Sequence, residues 1–512
     1  MSDQMHQKRT AQTINDLMSL PSVLLQLPDT IMGLVLQQLN KSSLANTAMT
    51  CSKLRDAAPA NISELVVYCS NEEVFRSFSL WLERNRTSLS SVRLCRLFGG
   101  EEYQPTLRSL HISPSLMQLE LRDVVLHGPS EDHPGVLHDC TGLTSLSLDF
   151  YEVLDSTTTA AAAIAALPQL RHLELAYRSA YDEGEPLFAD AQLPLQLSHL
   201  SLDGSNFQDG DGEWQPPNCN PLSSLVNLER LDLKNLPAEG IPGGIPSQLS
   251  KLTCLDISDM SSAGAAEQFQ HLSSLTALQQ LSVECYRCDA GHLSGIAELS
   301  QLSSLALSRM QLNTSNTHSW THLPALQKLA LTHCAVQPDA LKAFTQLRAL
   351  SLDLAQYPHG SSLTDLLGAV SKLTLLTELL VQPRIAEPLA DDVAAAFTAL
   401  TASTNLHTLK VGMPFKDSPE GFSVFKPGAA VYPHLRVLDL RYANNGGGAP
   451  FGAQQLQQLC SCCPAAEVLS MSRNKDAAPA AWAAVQQLTA LTLLAVSDMV
   501  QQRQQWSAQQ HS

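Results

Sequence analysis

A six-residue pattern, Leu-x-x-Leu-x-Leu with Ile, Val or Met sometimes substituted, recurs through most of this 512-residue chain. It begins at Ile62, Leu89, Leu116, Leu143, Leu170 and Leu197, each start 27 residues after the last. Further starts at Leu228, Leu252, Leu278, Leu302, Leu326, Leu347, Leu376, Leu406, Leu435, Ala466 and Leu491 bring the total to about 17 units. The last four residues of the hexamer alternate apolar and polar, the period of a strand with one buried face. Between hexamers lie segments of helical composition, such as Thr157–Ala166, Asp391–Leu400 and Gln454–Cys460. Strands that alternate with helices imply a parallel sheet, which curves because helices are thicker than strands. One unit cannot bury enough surface to stand alone, so each must stack on its neighbours. The Leu residues of the hexamers are therefore read as core, and a further match at Leu107 as off-register.

Two stretches rich in Gly, Pro and charge, Asn206–Pro221 and Gly412–Pro433, read as loops inserted between strands. The formal net charge is −17. That argues against a phosphate-backbone binder, which needs a basic surface. No apolar run approaches the roughly 20 residues of a membrane span, and no secretory leader is evident. Twelve Cys, mostly scattered singly, fit small buried thiols in a reducing compartment. The expected location is cytoplasmic or nuclear, with no nucleic acid and no membrane as partner.

Ahead of the hexamers, Pro28 stands at a helix start, where its missing N–H costs nothing. Ile31, Leu34, Val35 and Leu39 then form one apolar face at helical spacing. Leu44 and Ala45 open a second short helix, and Cys51–Ala58 reads as a third. Three short helices bury little by themselves and need a partner, either the first repeats or another protein.

Two resemblances follow from these residues. The hexamer array resembles the leucine-rich-repeat family. Leu326–Cys334 is similar to its cysteine form and Ala466–Asn474 to its asparagine form. The N-terminal segment resembles the F-box, with Leu27, Pro28, Ile31, Val35, Leu39, Leu44, Cys51, Ser52, Lys53 and Arg55 on the pattern in order. Leu54 stands where that family commonly has Trp. The F-box resemblance implies docking on a Skp-family adaptor of a cullin-RING ubiquitin ligase through Leu27, Pro28, Ile31, Val35, Leu39, Leu44, Cys51 and Leu54. The organisation expected is a flexible N-terminus over 1–24, an all-α F-box-like module over 25–60, a leucine-rich-repeat horseshoe of α/β class over 61–500 and a polar Gln-rich tail over 501–512.

Signatures of catalysis are missing from the sequence: no phosphate-binding Gly-rich loop, no His-Glu-x-x-His and no Gly-x-Ser-x-Gly. Cys285, Cys288 and His292 have a metal-like spacing but lack a second Cys pair. Asp209–Glu213 lacks the Gly and Glu that complete a calcium loop. Neither cofactor, metal nor enzyme is expected.

The polar strand positions carry the functional reading. By register Glu120, Asp149, Glu174, Asp203, Asp232, Asp256 and Glu284 share one exposed sheet face as an acidic stripe. Arg93, Arg122, Lys410 and Arg441 lie toward its ends and Lys234 alone interrupts it. Such a face suits a protein ligand with a basic patch. The expectation is a non-catalytic substrate receptor of a Skp-cullin-F-box ligase. The alternative is a signalling or cytoskeletal scaffold whose N-terminal helices only cap the repeats.

Overall fold

The structure is a computed structural model of the whole chain. It describes residues 64–69, 82, 89–96, 106–107, 114–127, 137–154, 162–177, 193–203, 220–235, 245–261, 269, 271–286, 290–318, 320, 323–354, 363–383, 397–412, 431–440, 453–472 and 485–497. The chain divides into two compact units, Met1–Leu252 and Thr253–Ser512.

In the first unit each hexamer supplies one strand of a parallel ladder. The strands are β1 (Glu64–Cys69), β2 (Ser91–Arg96), β3 (Thr106–Leu107), β4 (Gln118–His127), β5 (Ser145–Leu154), β6 (His172–Tyr177), β7 (His199–Asp203) and β8 (Arg230–Lys234). Apart from β3 each pairs with the next in register, so that Leu119, Leu146, Leu173, Leu200 and Leu231 stand side by side. Of the match at Leu107 only its first residue is described: Thr106 and Leu107 form β3, which pairs with Val125 and Leu126 at the far end of β4 and so lies off the register of the main ladder.

The second unit repeats the arrangement. Its main ladder holds β9 (Cys254–Ser261), β10 (Gln280–Tyr286), β11 (Ser304–Ser308), β13 (Lys328–Thr332), β15 (Ala349–Leu354), β16 (Glu378–Pro383), β17 (Thr408–Val411), β18 (Val437–Leu440), β19 (Val468–Ser472) and β20 (Leu493–Ser497). Two short strands, β12 (Gln311–Leu312) and β14 (Ala335–Val336), pair separately just beyond β11 and β13. Both units are leucine-rich repeats of α/β class.

The hexamer explains the core directly. Its first Leu is fully buried at Leu143, Leu170, Leu197 and Leu228, as is its fourth residue at Leu231, Leu255 and Leu305. At the end of the second unit the same fourth position, Leu494, is 40% exposed. No described repeat follows to cover it.

The repeats are also stitched by polar bonds. The amides of Arg171 and His172 both donate to the Thr144 carbonyl, and those of Ser303 and Ser304 to the Gln279 carbonyl. A hydroxyl at the second hexamer position reinforces this acceptor. Thr144 Oγ1 donates to the Met117 carbonyl and Ser303 Oγ to that of Gln279. Gly142 packs so close to the Pro114 carbonyl that no β-carbon fits there. Cys334 fills the family's ninth position as its motif requires, its thiol donating to the Leu307 carbonyl of the preceding repeat at 3.3 Å.

Among the described residues the connecting segments mix α-helix with 3-10 helix. Ala453–Cys462 and Leu363–Val370 are α-helices, but Asn220–Ser224, Leu272–Ser274, Ala290–Glu298 and Pro338–Ala343 are 3-10 turns. Thr157–Ala166 is α-helical over 162–165 and Asp391–Leu400 over 397–400, and residues 157–161 and 391–396 lie outside the described residues. Repeats of about 24 to 27 residues leave little chain for a full helix once strand and turns are made, and the tighter 3-10 form serves in short pieces. Buried aromatic side chains fill the space instead. Trp320 and Phe344 lie with ring centroids 6.1 Å apart, and the Tyr432 hydroxyl donates to the Phe397 carbonyl. No described helix is long and apolar enough to cross a membrane.

Candidate partner-binding face

Strand geometry sends alternate side chains to opposite sides of a ladder. In the first unit the Leu set is buried and the intervening residues form a face of three columns. The first column reads Ser91, Gln118, Ser145, His172, His199 and Arg230. The second reads Arg93, Glu120, Ser147, Glu174, Ser201 and Asp232, and the third Cys95, Arg122, Asp149, Ala176, Asp203 and Lys234.

The acids expected on this face share its register, but they zigzag, and Asp149 departs from the expectation of exposure, being buried at 8% exposed. Glu120, Glu174 and Asp232 occupy the second column, while Asp149 and Asp203 occupy the third on the strands between. No two acids are therefore direct neighbours across a strand pair, an arrangement that avoids the cost of like charges placed opposite one another. Serine separates them instead, and Ser147 Oγ donates to Glu174 at 3.0 Å.

The stripe is more neutralised than the sequence suggests. Glu120 is clamped between Arg93 and Arg122. Arg230 pairs with Asp232 at 2.8 Å. Asn235 Nδ2 donates to Asp203 at 2.7 Å. In the second unit Arg309 pairs with Glu284 at 3.1 Å. Arg230 and Arg309 thus join Lys234 in interrupting the acids, which corrects the expectation of one interruption. The signal was legible for Arg230, the first-column residue of its own strand. Arg309 lies one residue beyond the regular strand, where period-two reasoning has stopped.

That position is conformationally unusual. Asn235, Arg309 and His333 each follow the last residue of a strand, and all three adopt positive φ, at 51°, 61° and 55°. The left-handed turn swings the side chain back along the sheet edge. Asn235 and Arg309 use it to reach the acid on the preceding repeat, whereas His333 lies 3.9 Å from Asp353 on the following one. Asn and His tolerate this region better than most residues, and Arg at such a position is uncommon.

In the second unit the second column reads Asp256, Ser282, Ala306, Ala330, Ser351, Leu380, Lys410, Asp439, Ser470 and Ala495. Asp256 and Glu284 are half-buried on this face. Access is not uniform: Asp439 and Ser470 are only 3% and 6% exposed. Lys410 is held by Glu378 at 2.6 Å.

A second missed feature lies in the first column, where the rings of His172 and His199 stack with centroids 4.2 Å apart and planes 23° from parallel. Burial, then the neighbouring His172, lower the proton affinity of His199 below the ordinary imidazole value. Both residues stand at the third position of their hexamers, so their pairing follows from the 27-residue spacing.

The cysteines mostly stay out of this chemistry. Seven described cysteines are free thiols, of which Cys140, Cys334, Cys460, Cys462 and Cys463 are buried. Cys285 departs from the expectation of thiols alone, being disulfide-bonded as well as buried. Among the described residues no group of three His, Cys, Asp or Glu is placed to hold a metal. Leu27, Pro28, Ile31, Val35, Leu39, Leu44, Cys51 and Leu54 lie outside the described residues.

In comparison with known protein families, residues 24–59 match the F-box domain. The solved structures similar to this chain are leucine-rich-repeat proteins. A leucine-rich-repeat protein of Leptospira interrogans is 14% identical over 90% of this chain and 93% of its own, with a TM-score of 0.40. An internalin of Listeria monocytogenes is 15% identical over 66% of this chain and 83% of its own, with a TM-score of 0.36. A chain of the mouse RP105/MD-1 complex is 14% identical over 87% and 77%, with a TM-score of 0.45. No curated protein matches this chain. An F-box segment joined to leucine-rich repeats supports a protein-interaction adaptor.

Proposed function

We propose that the chain is a non-catalytic substrate receptor of a Skp-cullin-F-box ubiquitin ligase. The observation that carries this reading is the F-box match over residues 24–59, immediately ahead of an array of leucine-rich repeats. F-box domains generally bind the Skp adaptor, and the apolar positions Leu27, Pro28, Ile31, Val35, Leu39, Leu44, Cys51 and Leu54 would supply that contact. Residues 25–60 are then the docking module and 61–500 the substrate-binding domain. The substrate would meet the polar sheet faces, which bear Glu120, Asp149, Glu174, Asp203 and Asp232 in the first unit and Asp256 and Glu284 in the second. Ligase chemistry belongs to the recruited machinery, and this chain contributes position.

The test is a pull-down of the full chain with a purified Skp-family adaptor, wild type against a Pro28→Ala, Ile31→Asp, Val35→Asp variant. The expected result is capture of the adaptor by wild type and its loss in the variant, with an unchanged unfolding transition for the repeats. Failure of the folded wild type to capture any adaptor overturns the ligase reading in favour of a repeat scaffold whose N-terminal segment only caps the first repeat.

A further inference from the structure

The first column of the sheet face in the first unit places two imidazoles where a change of protonation alters the charge of the face itself. His172 and His199 come from adjacent strands with rings stacked at 4.2 Å. The groups that face them can be named strand by strand. β5 presents Ser145, Ser147 and Asp149; β6 presents Glu174, with Arg171 just before it; β7 presents Ser201 and Asp203, with Ser198 just before it; β8 presents Arg230 and Asp232, with Glu229 just before it. Ser198 Oγ lies 2.9 Å from His199 Nδ1, and Arg230 is already committed to Asp232.

On β6 to β8 the face therefore carries Glu174, Asp203 and Asp232 against Arg230 and Lys234, a balance of one negative charge with both rings neutral. Two imidazolium groups turn that balance positive, and they would also stand face to face. A stacked pair favours the neutral state, since a second proton must be added beside the first. No carboxylate is interposed between the rings to absorb it.

We propose that the His172–His199 stack gates docking on this face: a partner segment that offers basic side chains to Glu174, Asp203 and Asp232 is held while both rings are neutral and is released as they take up protons. This rests on the reading of the sheet face as the partner-binding surface. The same chemistry sets the partner class, because a basic segment is the one whose electrostatic fit reverses when the face gains two positive charges. An acidic partner would show the opposite pH dependence.

The experiment uses the full chain and a fluorescein-labelled oligolysine peptide, with anisotropy followed at low ionic strength at about pH 7.5 and about pH 5.5, on either side of the histidine range. Wild type is expected to bind about tenfold more weakly at the lower pH, while in a His172→Gln, His199→Gln variant the ratio of the two affinities falls to near one. A Glu174→Gln, Asp203→Asn, Asp232→Asn variant is expected to lose binding at both pH values. An undiminished pH ratio in the double Gln variant overturns the gate and leaves the face reading standing. Equal binding by the acid-depleted variant, or none by wild type at either pH, overturns docking of a basic segment on this face. Adaptor capture by residues 24–59 is scored separately, so failure of the ligase reading is distinguishable from failure of the gate.

Discussion

Asn235 holds a left-handed backbone conformation at φ 51° and uses it to donate its side-chain amide to Asp203 on the preceding repeat, at 2.7 Å. Backbone and side chain thus solve two problems with one residue: the chain turns off the end of β8, and an acid on β7 gains a hydrogen-bond donor. Asn235→Gly keeps the turn and removes the bond, whereas Asn235→Ala loses both. Urea unfolding should show the Ala variant less stable than wild type by about 1–2 kcal/mol and less stable than the Gly variant. An Ala variant as stable as the Gly variant would mean that the turn relaxes freely.

Leu231 and Leu494 occupy the same hexamer position, one fully buried and the other 40% exposed. Leu231→Ala should destabilise the chain by about 2–5 kcal/mol through an unfilled cavity. Leu494→Ala should stay within about 0.5 kcal/mol, as expected of an exposed site. Chemical denaturation of the two variants against wild type checks the contrast.

Gly142 and Gly368 make a matched pair. A methyl group at Gly142 would collide with the Pro114 carbonyl, while at Gly368, inside the helix Leu363–Val370, it meets nothing. Gly142→Ala is expected to lose about 1–3 kcal/mol. Gly368→Ala is expected to gain about 0.5–1 kcal/mol from helix propensity. Thermal unfolding followed by circular dichroism distinguishes them by sign.

Burial pushes the Cys140 thiol up to about 12 and the Cys334 and Cys460 thiols up to about 11, far from the thiolate form at neutral pH. Cys95 and Cys254 are only half-buried. Brief alkylation of the native chain with iodoacetamide should therefore label Cys95 and Cys254 and spare the other three until denaturant is added. Peptide mapping by mass spectrometry reads the result directly.

The lowered proton affinity of His199 also ties stability to pH. The unfolded state takes up the proton more readily than the folded one, so stability rises with pH across this group. The contribution is complete above the ordinary value of 6.5 and is lost as the pH falls from there through the lowered value of the folded state. His199→Gln should flatten the dependence of the urea midpoint on pH in that range.

The repeating core was almost wholly legible, because a buried Leu at fixed spacing is a one-dimensional signal and the parallel ladder needs nothing more. The positions of Glu120, Glu174 and Asp203 followed from the same period. What escaped was anything set by geometry between repeats. The reach of Arg309 to Glu284 depends on a positive φ that no local pattern announces at an arginine. Composition likewise cannot tell a short 3-10 turn from a helix when both bury the same Leu and Ala. The separate ladder of β12 and β14 depends on how two turns stack, which hexamer spacing leaves open.

The alternation of acid and serine down the second column has a consequence for how such a chain can change length. From β1 to β7 the backbone renews itself every 27 residues, but its charges do not: Glu120 and Glu174 stand 54 residues apart, as do Asp149 and Asp203. Excision of the single block 145–171 would bring Gln118 opposite His172 and keep the remaining Leu columns aligned, yet it would set Glu120 directly beside Glu174. The electrostatic unit of inheritance is therefore a pair of repeats, and duplications or deletions should be tolerated most readily in twos.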